Sequence, residues 1–434
     1  MGLWLCGATE AVLFFLDAAF FGKLSVIHAF KRLGFLSLVC YFPILENQFK
    51  IMKKRRWNWV LSDYIRKALQ IYYEMTARLR GQAFYCEVLH GHGEYNLTIN
   101  SDSTVSCNCQ DYDGSGHIGD LNKNSFEEVF FGPVSQNFRE DLAKGKLPIP
   151  ACTRCSGLKR IAKSKIPKEM FNKTKGNGTE PFTFPKRDNL PPVPHTDSSE
   201  WPPLRLPYRG MLLENTVNCN IDCIGCDRGS AAAIRKQRVM PLEQITKMAD
   251  LIQDLGLQQL YYLNLGEPFL SPNVGQELAV IRKKNPHCRI VISSNAIILN
   301  TDAKREAALY ASHIFFSIAG IDDEMLEKYE KRGSFEKAYV NMKALVDYRN
   351  AKGLSQPIIE WKYLLFNWND RHRTIERAIE MAKEAGVDAI SFWPTNNPLY
   401  GFSWRYRMGM LNDIGVGSWK GREVDLRRPT LAAA

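Results

Sequence analysis

The amino-acid sequence predicts an α/β fold: a partial (β/α)6 TIM-like barrel with a small N-terminal Cys-rich α+β domain. Three observations carry this expectation. From Tyr208 onward, six apolar runs alternate with amphipathic helical patterns, which implies parallel strands joined by helical crossovers. Residue types suited to binding gather where those runs end, as at the C-terminal rim of a barrel. Eight of the eleven cysteines fall into two clusters, one ahead of the strand–helix repeat and one directly after its first strand.

The 434 residues suffice for two or three domains. Residues 1–80 form an apolar and basic, helical N-terminal region. Its stretch 11–45 is rich in Phe, Leu and Val but is broken by Asp17, Lys23, His28, Lys31 and Arg32. The longest uncharged run, 33–45, is too short to span a bilayer as a helix. Buried or interfacial helices are expected there, with a peripheral membrane contact aided by Lys53-Lys54-Arg55-Arg56 as the alternative. The N-terminus lacks the basic start of a secretory signal, so a cytoplasmic chain is expected. Clustered cysteines in such a chain point to metal ligation and not to disulfides. The net charge of +11 resides in two runs, 50–56 and 159–187. The remainder is near neutral, so a nucleic-acid-binding surface is not indicated, while an anionic substrate is compatible.

Residues 81–165 make the cysteine-rich domain. Residues 166–207 are basic and then proline-rich, with eight prolines in 181–207, and read as an extended linker. The barrel occupies 208–395, with strands expected at 211–217, 259–265, 289–294, 313–318, 358–366 and 389–393. Leu242, Ile245, Met248, Ile252 and Leu255 recur at helical spacing, and Gly256 supplies the stop. Thr301 caps a helix running to Tyr310, 335–348 is amphipathic, and 375–383 is a helix closed by Gly386. A doubly wound open sheet is the alternative topology. Residues 396–434 form a C-terminal extension.

After the first strand stand Cys219, Cys223 and Cys226, spaced C-x3-C-x2-C. Three thiolates on one tight loop can each hold one iron of a cubane cluster and leave the fourth iron open to an exogenous ligand. Structural zinc wants four ligands, usually as two separated pairs, and no His or fourth Cys lies near this triplet. A redox pair of Cys223 and Cys226 would leave Cys219 unexplained.

This spacing after strand one of a six-unit barrel resembles the radical S-adenosylmethionine (SAM) superfamily. The resemblance implies a 4Fe–4S cluster whose open iron chelates the amino and carboxylate groups of SAM. One electron then breaks the sulfonium C–S bond, and the resulting 5′-deoxyadenosyl radical abstracts a substrate hydrogen. Further elements follow in the family's order. Gly266-Glu267-Pro268 resembles its Gly-Gly-Glu-Pro element, with Leu265 in place of the first glycine. Ser293-Ser294-Asn295 resembles its Thr-Asn-Gly element, and the segment from Ser317 to Asp322 its Ser-Ile-Asp-Gly segment. Gly266, Glu267, Pro268, Ser293, Asn295 and Ser317 are the cofactor-binding residues that this resemblance implies. The residue before the third cysteine, usually aromatic in the family and lying by the adenine, is Gly225 here. Either another side chain covers the adenine or the pocket is more open.

In the N-terminal domain, 98–107 reads as a hairpin with a polar turn, followed by His117-Ile118-Gly119-Asp120-Leu121, a helix over 125–131, and Cys152-Thr153-Arg154-Cys155. This order is similar to the SPASM/twitch domain, which implies an auxiliary 4Fe–4S cluster held by Cys86, Cys107, Cys152 and Cys155, with Cys109 competing for the second place. A four-cysteine zinc site is the alternative. In the family this module usually follows the barrel, and here it precedes it. The order is either permuted or inherited from a fused neighbour whose module serves a partner chain.

The resemblance implies a radical enzyme acting on a small molecule, sugar or peptide by dehydrogenation, epimerisation or another modification. Its electron donor would be of the flavodoxin or ferredoxin type. Candidate catalytic residues are Cys109, as a thiol hydrogen donor, and Glu360 with Lys362, which share strand parity and read equally as a structural ion pair. The alternative function is a non-catalytic binding protein stabilised by zinc or iron–sulfur clusters.

Overall fold

The computed structural model describes residues 57–109, 111–167, 201–395, 397–414, 416 and 422–426. The apolar stretch 11–45, most of the expected linker and the end of the C-terminal extension lie outside the described residues. The chain divides into two compact units, 1–64 and 65–434. The described part of the first is the start of a helix, Trp57–Leu79; the second holds all the described strands. Among the described residues no helix is long and apolar enough to cross a membrane.

The N-terminal strands are β1 (Gln82–Cys86), β2 (Thr98–Ile99), β3 (Thr104–Ser106), β4 (His117–Asp120) and β5 (Leu158–Ala162). The barrel region contributes β6 (Gly210–Leu213), β7 (Asp222–Cys223), β8 (Gln259–Tyr262), β9 (Arg289–Ser294), β10 (His313–Ser317), β11 (Glu330–Lys331), β12 (Ile358–Leu365), β13 (Ala389–Pro394) and β14 (Arg422–Asp425). Six of these, β6, β8, β9, β10, β12 and β13, lie side by side in sequence order, all parallel, with helices between them. A doubly wound sheet would reverse its strand order at a switch point. This one does not, so the partial barrel is the architecture and the open-sheet alternative falls.

Alternation along these strands separates two environments. Met211, Leu260, Tyr262, Ile290, Ile292, Ile314, Phe316, Ile359, Trp361 and Phe392 are at most 1% exposed, on the face that packs under the helices. The helix Leu242–Leu255 answers with Ile245, Met248 and Ile252, and His372–Ala385 with Ile375, Ala378 and Ala382. Each of the Ile, Leu, Met and Phe side chains among them contributes roughly 1.5–3 kcal/mol of burial. On the opposite face Tyr261, Ser293, Phe315, Ser317 and Lys362 are only half-buried, although they sit in the middle of a large sheet. That face lines an open hollow.

Helix ends follow the local sequence. Gly256 and Gly386 take left-handed C-cap conformations, and the Thr301 and Ser334 side chains accept N-cap hydrogen bonds. The helix expected over 125–131 is Phe126–Phe130, with Ser125 as its cap and Glu128 closing a capping box. The strands expected to reach 217 and 265 stop at Leu213 and Tyr262. Beyond Leu213 the chain turns polar: Glu214 N still donates to Ile99 O and Thr216 bridges to Val239, while the Glu214, Asn215 and Thr216 side chains are buried in hydrogen bonds.

The N-terminal domain is not a separate layer. Strand β2 pairs in parallel with β6, the first barrel strand, and β3 and β4 continue the sheet outward. Strand β14 adds antiparallel to β13 at the other edge, giving ten strands in one sheet among the described residues. Strands β1 and β5 form their own ribbon. Where β2 meets β6, Arg235 and Glu214 form an ion pair at 3.2 Å with side chains 3% and 0% exposed. Arg235 also donates to Asn100 Oδ1 at 2.7 Å, and Glu214 accepts from Ser101 N and from Asn264 Nδ2. Breaking such a pair leaves a buried charge uncompensated. Arg235→Met is expected to lower the unfolding free energy by about 3 kcal/mol, read from urea denaturation. Adding Glu214→Gln should recover about half of that loss.

Candidate functional site

The cysteine loop leaves β6 at its C-terminal end and is fixed from three sides. Val217 N donates to Arg238 O at 2.9 Å. Strand β7, which contains Cys223, pairs antiparallel with β11, and Ile224 N donates to Tyr329 O at 2.9 Å. Glu267 N donates to Asn218 O at 2.8 Å, and a Cβ on Gly266 would fall 1.9 Å from Thr216 O. Only glycine permits that approach. Asp222, beside Cys223, pairs with Arg228 at 2.5 Å and Arg332 at 2.8 Å.

Cys219, Cys223 and Cys226 are unbridged. Burial raises all three thiols above the ordinary value, Cys219 to about 11. Carboxylates add to it, Glu267 beside Cys219 and Glu330 beside Cys223, and Cys223 feels the charge of the other two thiols. Partly buried thiols that disfavour one another's ionised form are a donor set that a soft metal cluster would relieve, so these residues fit an iron–sulfur group.

The strand ends around the loop are tied together. The Glu267 carboxylate, 2% exposed, accepts from Phe269 N at 3.2 Å, Ser294 Oγ at 2.9 Å and Asn295 N at 2.8 Å. Burial raises its carboxyl to about 7. Asn295 Nδ2 donates to Asn220 Oδ1 at 2.9 Å and lies 3.8 Å from Cys219 Sγ. Pro268 is buried, and its carbonyl accepts from Asn215 Nδ2 at 3.1 Å. Gly266, Glu267, Pro268 and Asn295 thus converge on the cysteine loop, with the Glu267 carboxylate turned into the protein's own network. Ser293 and Ser317 face the hollow instead, their Oγ atoms 3.3 Å apart.

Gly225 has an answer elsewhere in the chain. A Cβ there would lie 2.8 Å from Asn397 O and 3.1 Å from Tyr329 Oη, and Asn397 Nδ2 donates to Gly225 O at 2.9 Å. The Tyr329 ring packs on Phe366 at 4.7 Å, and Phe366 stacks on Trp368 at 4.4 Å. The space beside Gly225 is therefore filled by distant residues and is not open. Glu330 and Asn397 carried no local signal in the sequence that would have singled them out.

Glu360 and Lys362 are not an ion pair. Glu360 Oε2 meets His313 Nε2 at 2.9 Å, and its Oε1 accepts from the Ser391 hydroxyl. Arg289 donates to His313 Nδ1 at 2.8 Å, which leaves Nε2 to carry the proton toward Glu360. Lys362 Nζ lies instead 4.7 Å over the Trp393 ring.

In the N-terminal domain Cys86, Cys107, Cys152 and Cys155 line one cavity with Leu89 and Ile149. All are free thiols, raised first by burial, and Cys86 and Cys107 also by the neighbouring thiolates. Four soft donors round an apolar cavity fit a second cluster. Cys109 is outside this set: its thiol donates to Asn96 Oδ1 at 3.4 Å, and burial raises it to about 12. Among the described residues no three His, Cys, Asp or Glu side chains close on one point at the spacing of a single ion. The two cysteine groups are neighbours in space. Tyr112 packs on the cluster of Val217 with Ala231 and Ala232, the last two on the helix Arg228–Ile234 that follows Cys226. Arg154, between Cys152 and Cys155, feels the charge of Asp227.

Thiols placed in this way belong to an iron–sulfur protein built on an α/β barrel. Residues 214–355 match the family model of the radical SAM superfamily, and residues 86–156 match that of SPASM, an iron–sulfur cluster-binding domain. The chain thus carries a radical SAM domain with a SPASM domain ahead of it, and the cofactors these two domains imply are a 4Fe–4S cluster, SAM and an auxiliary iron–sulfur cluster. Similar solved structures include TYW1 with a lysine–pyruvate adduct bound, at 17% identity over 41% of this chain and 61% of that one, TM-score 0.30. Another is anSMEcpe with bound AdoMet, at 15% identity over 42% of this chain and 50% of that one, TM-score 0.32. A third is the radical SAM methyltransferase TsrM from Kitasatospora setae with tryptophan and a SAM analogue, at 13% identity over 44% of this chain and 38% of that one, TM-score 0.35. The chain thus spans 61% and 50% of the length of the first two. No curated protein matches it.

Cys107→Ser is expected to lower the iron of the anaerobically reconstituted chain from about eight to about four atoms, and Cys109→Ser to leave it at about eight. If Cys109 is the ligand, the two results exchange. Gly225→Phe is expected to cost about 1–3 kcal/mol through overpacking against Asn397 and Tyr329, seen as a lowered melting temperature.

Proposed function

We propose that this chain is a radical SAM enzyme in which both cysteine groups serve one barrel. Cys219, Cys223 and Cys226 hold the cluster that binds SAM, and Cys86, Cys107, Cys152 and Cys155 hold the auxiliary cluster. The observation that carries this reading is the fixed, unbridged three-thiol loop. It stands at the C-terminal end of the first of six parallel strands, beside an open inner face. When bound, the cluster and SAM supply one-electron cleavage of a sulfonium C–S bond and hydrogen-atom abstraction from a substrate.

The chain's own residues bind, orient and exclude water. Gly266 and Glu267 fix the height of the cysteine loop against β8 and β9, and Asn295 steadies Asn220 next to Cys219. Backbone groups of these loops, with the hydroxyls of Ser293 and Ser317, are available to a polar cofactor. Tyr329, Phe366 and Trp368 shield the far side of the loop from solvent. The hollow takes a small molecule, sugar or peptide, and a flavodoxin- or ferredoxin-type protein supplies the electron. The junction of β2 with β6 supports an auxiliary cluster acting in cis, whatever the order of the domains along the chain.

The test is anaerobic reconstitution with iron and sulfide, then dithionite and SAM, with 5′-deoxyadenosine measured by liquid chromatography. Product should exceed that of a Cys223→Ala variant by at least about tenfold, a difference of about 1.4 kcal/mol in barrier. Fully loaded clusters without 5′-deoxyadenosine would falsify the enzyme reading. Zinc in the 219–226 loop of anaerobically purified protein would favour a binding protein instead.

A further inference from the structure

Lys362 is the fifth of the eight residues of β12, with its side chain on the hollow's face. Its ammonium rests 4.7 Å over the Trp393 ring, and among the described residues no hydrogen-bond acceptor or paired carboxylate meets it. An ammonium carries three donors, and leaving them unmet in a half-buried site is costly. The nearest carboxylate on that face, Glu360, is taken up by His313 and Ser391. The Ser391 hydroxyl in turn accepts from Trp393 Nε1 at 2.8 Å, so the indole under the ammonium is held in place. On the other side, Ser317 is the register partner of Lys362, and its hydroxyl reaches Ser293. An ammonium and two hydroxyls therefore run in a row across three adjacent strands, facing an open space.

We propose that Lys362, supported by Trp393, binds an oxyanion, a carboxylate or phosphate, carried by the substrate of this barrel. The proposal rests on the reading that the hollow is where the substrate lies. The position of Lys362 favours the substrate over the cofactor. Cys219 is met by the loops that leave β8 and β9, and Cys223 and Gly225 by the segments after β10 and β13, whereas Lys362 stands within β12, three residues before its end, on the hollow's face. Burial lowers the basicity of Lys362, opposed by the charge of Glu360, which makes the amine a usable chemical reporter.

The experiment reads the rate at which a small acylating reagent acetylates Lys362 in the anaerobically reconstituted full chain, by peptide mass spectrometry. Inorganic phosphate and succinate are the probes, with chloride at matched ionic strength as control. Either probe should slow acetylation of Lys362 at least about fivefold, the protection given by an anion at about four times its dissociation constant, and leave the exposed Lys343 unaffected. Trp393→Ala should weaken that protection. A second arm repeats the measurement with saturating S-adenosylhomocysteine, which should leave the phosphate effect in place. No protection by either anion overturns the proposal, as does a Lys362 that never acetylates. Protection by S-adenosylhomocysteine that replaces the phosphate effect also overturns it, since the oxyanion would then be the cofactor's. None of these readouts requires 5′-deoxyadenosine, so a failure of the anion subsite is distinguishable from a failure of the radical reading.

Discussion

The close approach of Gly266 to the backbone of Thr216 is the constraint on which the site depends. At a Cβ-to-oxygen separation of 1.9 Å, any side chain at position 266 would push the ends of β6 and β8 apart. With glycine there, Glu267 N reaches Asn218 O, the Glu267 carboxylate reaches Ser294 and Asn295, and Asn295 reaches Asn220 beside Cys219. A single backbone contact therefore sets the relation between three strand ends and the cysteine loop. The carboxylate at its centre is an acceptor for three donors, which offsets part of the cost of burying it.

A six-stranded partial barrel has two free edges, and free edges invite unwanted pairing. This chain covers one with β2, β3 and β4 of the cysteine-rich domain and the other with β14 of the C-terminal extension. The hairpin docks by strand pairing and by hydrogen bonds of Asn100 and Ser101 with the buried Arg235–Glu214 pair of the barrel, neither of which depends on whether the domain comes before or after the barrel in sequence. The same docking carries the loop after Cys107 onto the helix after Cys226. Edge protection and the proximity of the two cysteine groups are thus one structural fact.

Much of this was legible in the sequence, and the parts that were not have a common cause. Strands β9 and β10 and the helix ends at Gly256 and Gly386 follow from local periodicity and local capping, so a short window suffices. The run 211–217 read as strand because Met211, Leu212, Leu213 and Val217 are apolar. Its second half is buried through Glu214, Asn215 and Thr216, whose partners Arg235, Glu277 and Arg238 are far along the chain. The cysteine spacings marked out both groups, and the Gly-Glu-Pro tripeptide stands against the triplet's loop in the structure. Spacing alone did not separate Cys107 from Cys109. Their difference lies in which one lines the cavity and which one turns to Asn96. Parity placed Glu360 and Lys362 on one face but not with each other, because His313 on the neighbouring strand competes for the carboxylate.

Gly225 shows the same principle at the site itself. Read locally, it is a gap where an aromatic side chain is usual. In three dimensions Tyr329 enters from the turn before β11 and Asn397 from the segment after β13, and both meet Gly225. Close packing admits no void of that size, so the volume that one residue does not fill is filled by two others. The change has an electrostatic consequence. The Tyr329 hydroxyl, pushed up by burial and by the charges of Cys223 and Cys226, stays a neutral phenol beside the cysteines. An apolar aromatic inserted from the loop would bring no such donor. The lining beside Gly225 is therefore set by the segments after β10 and β13, and not by the cysteine loop itself.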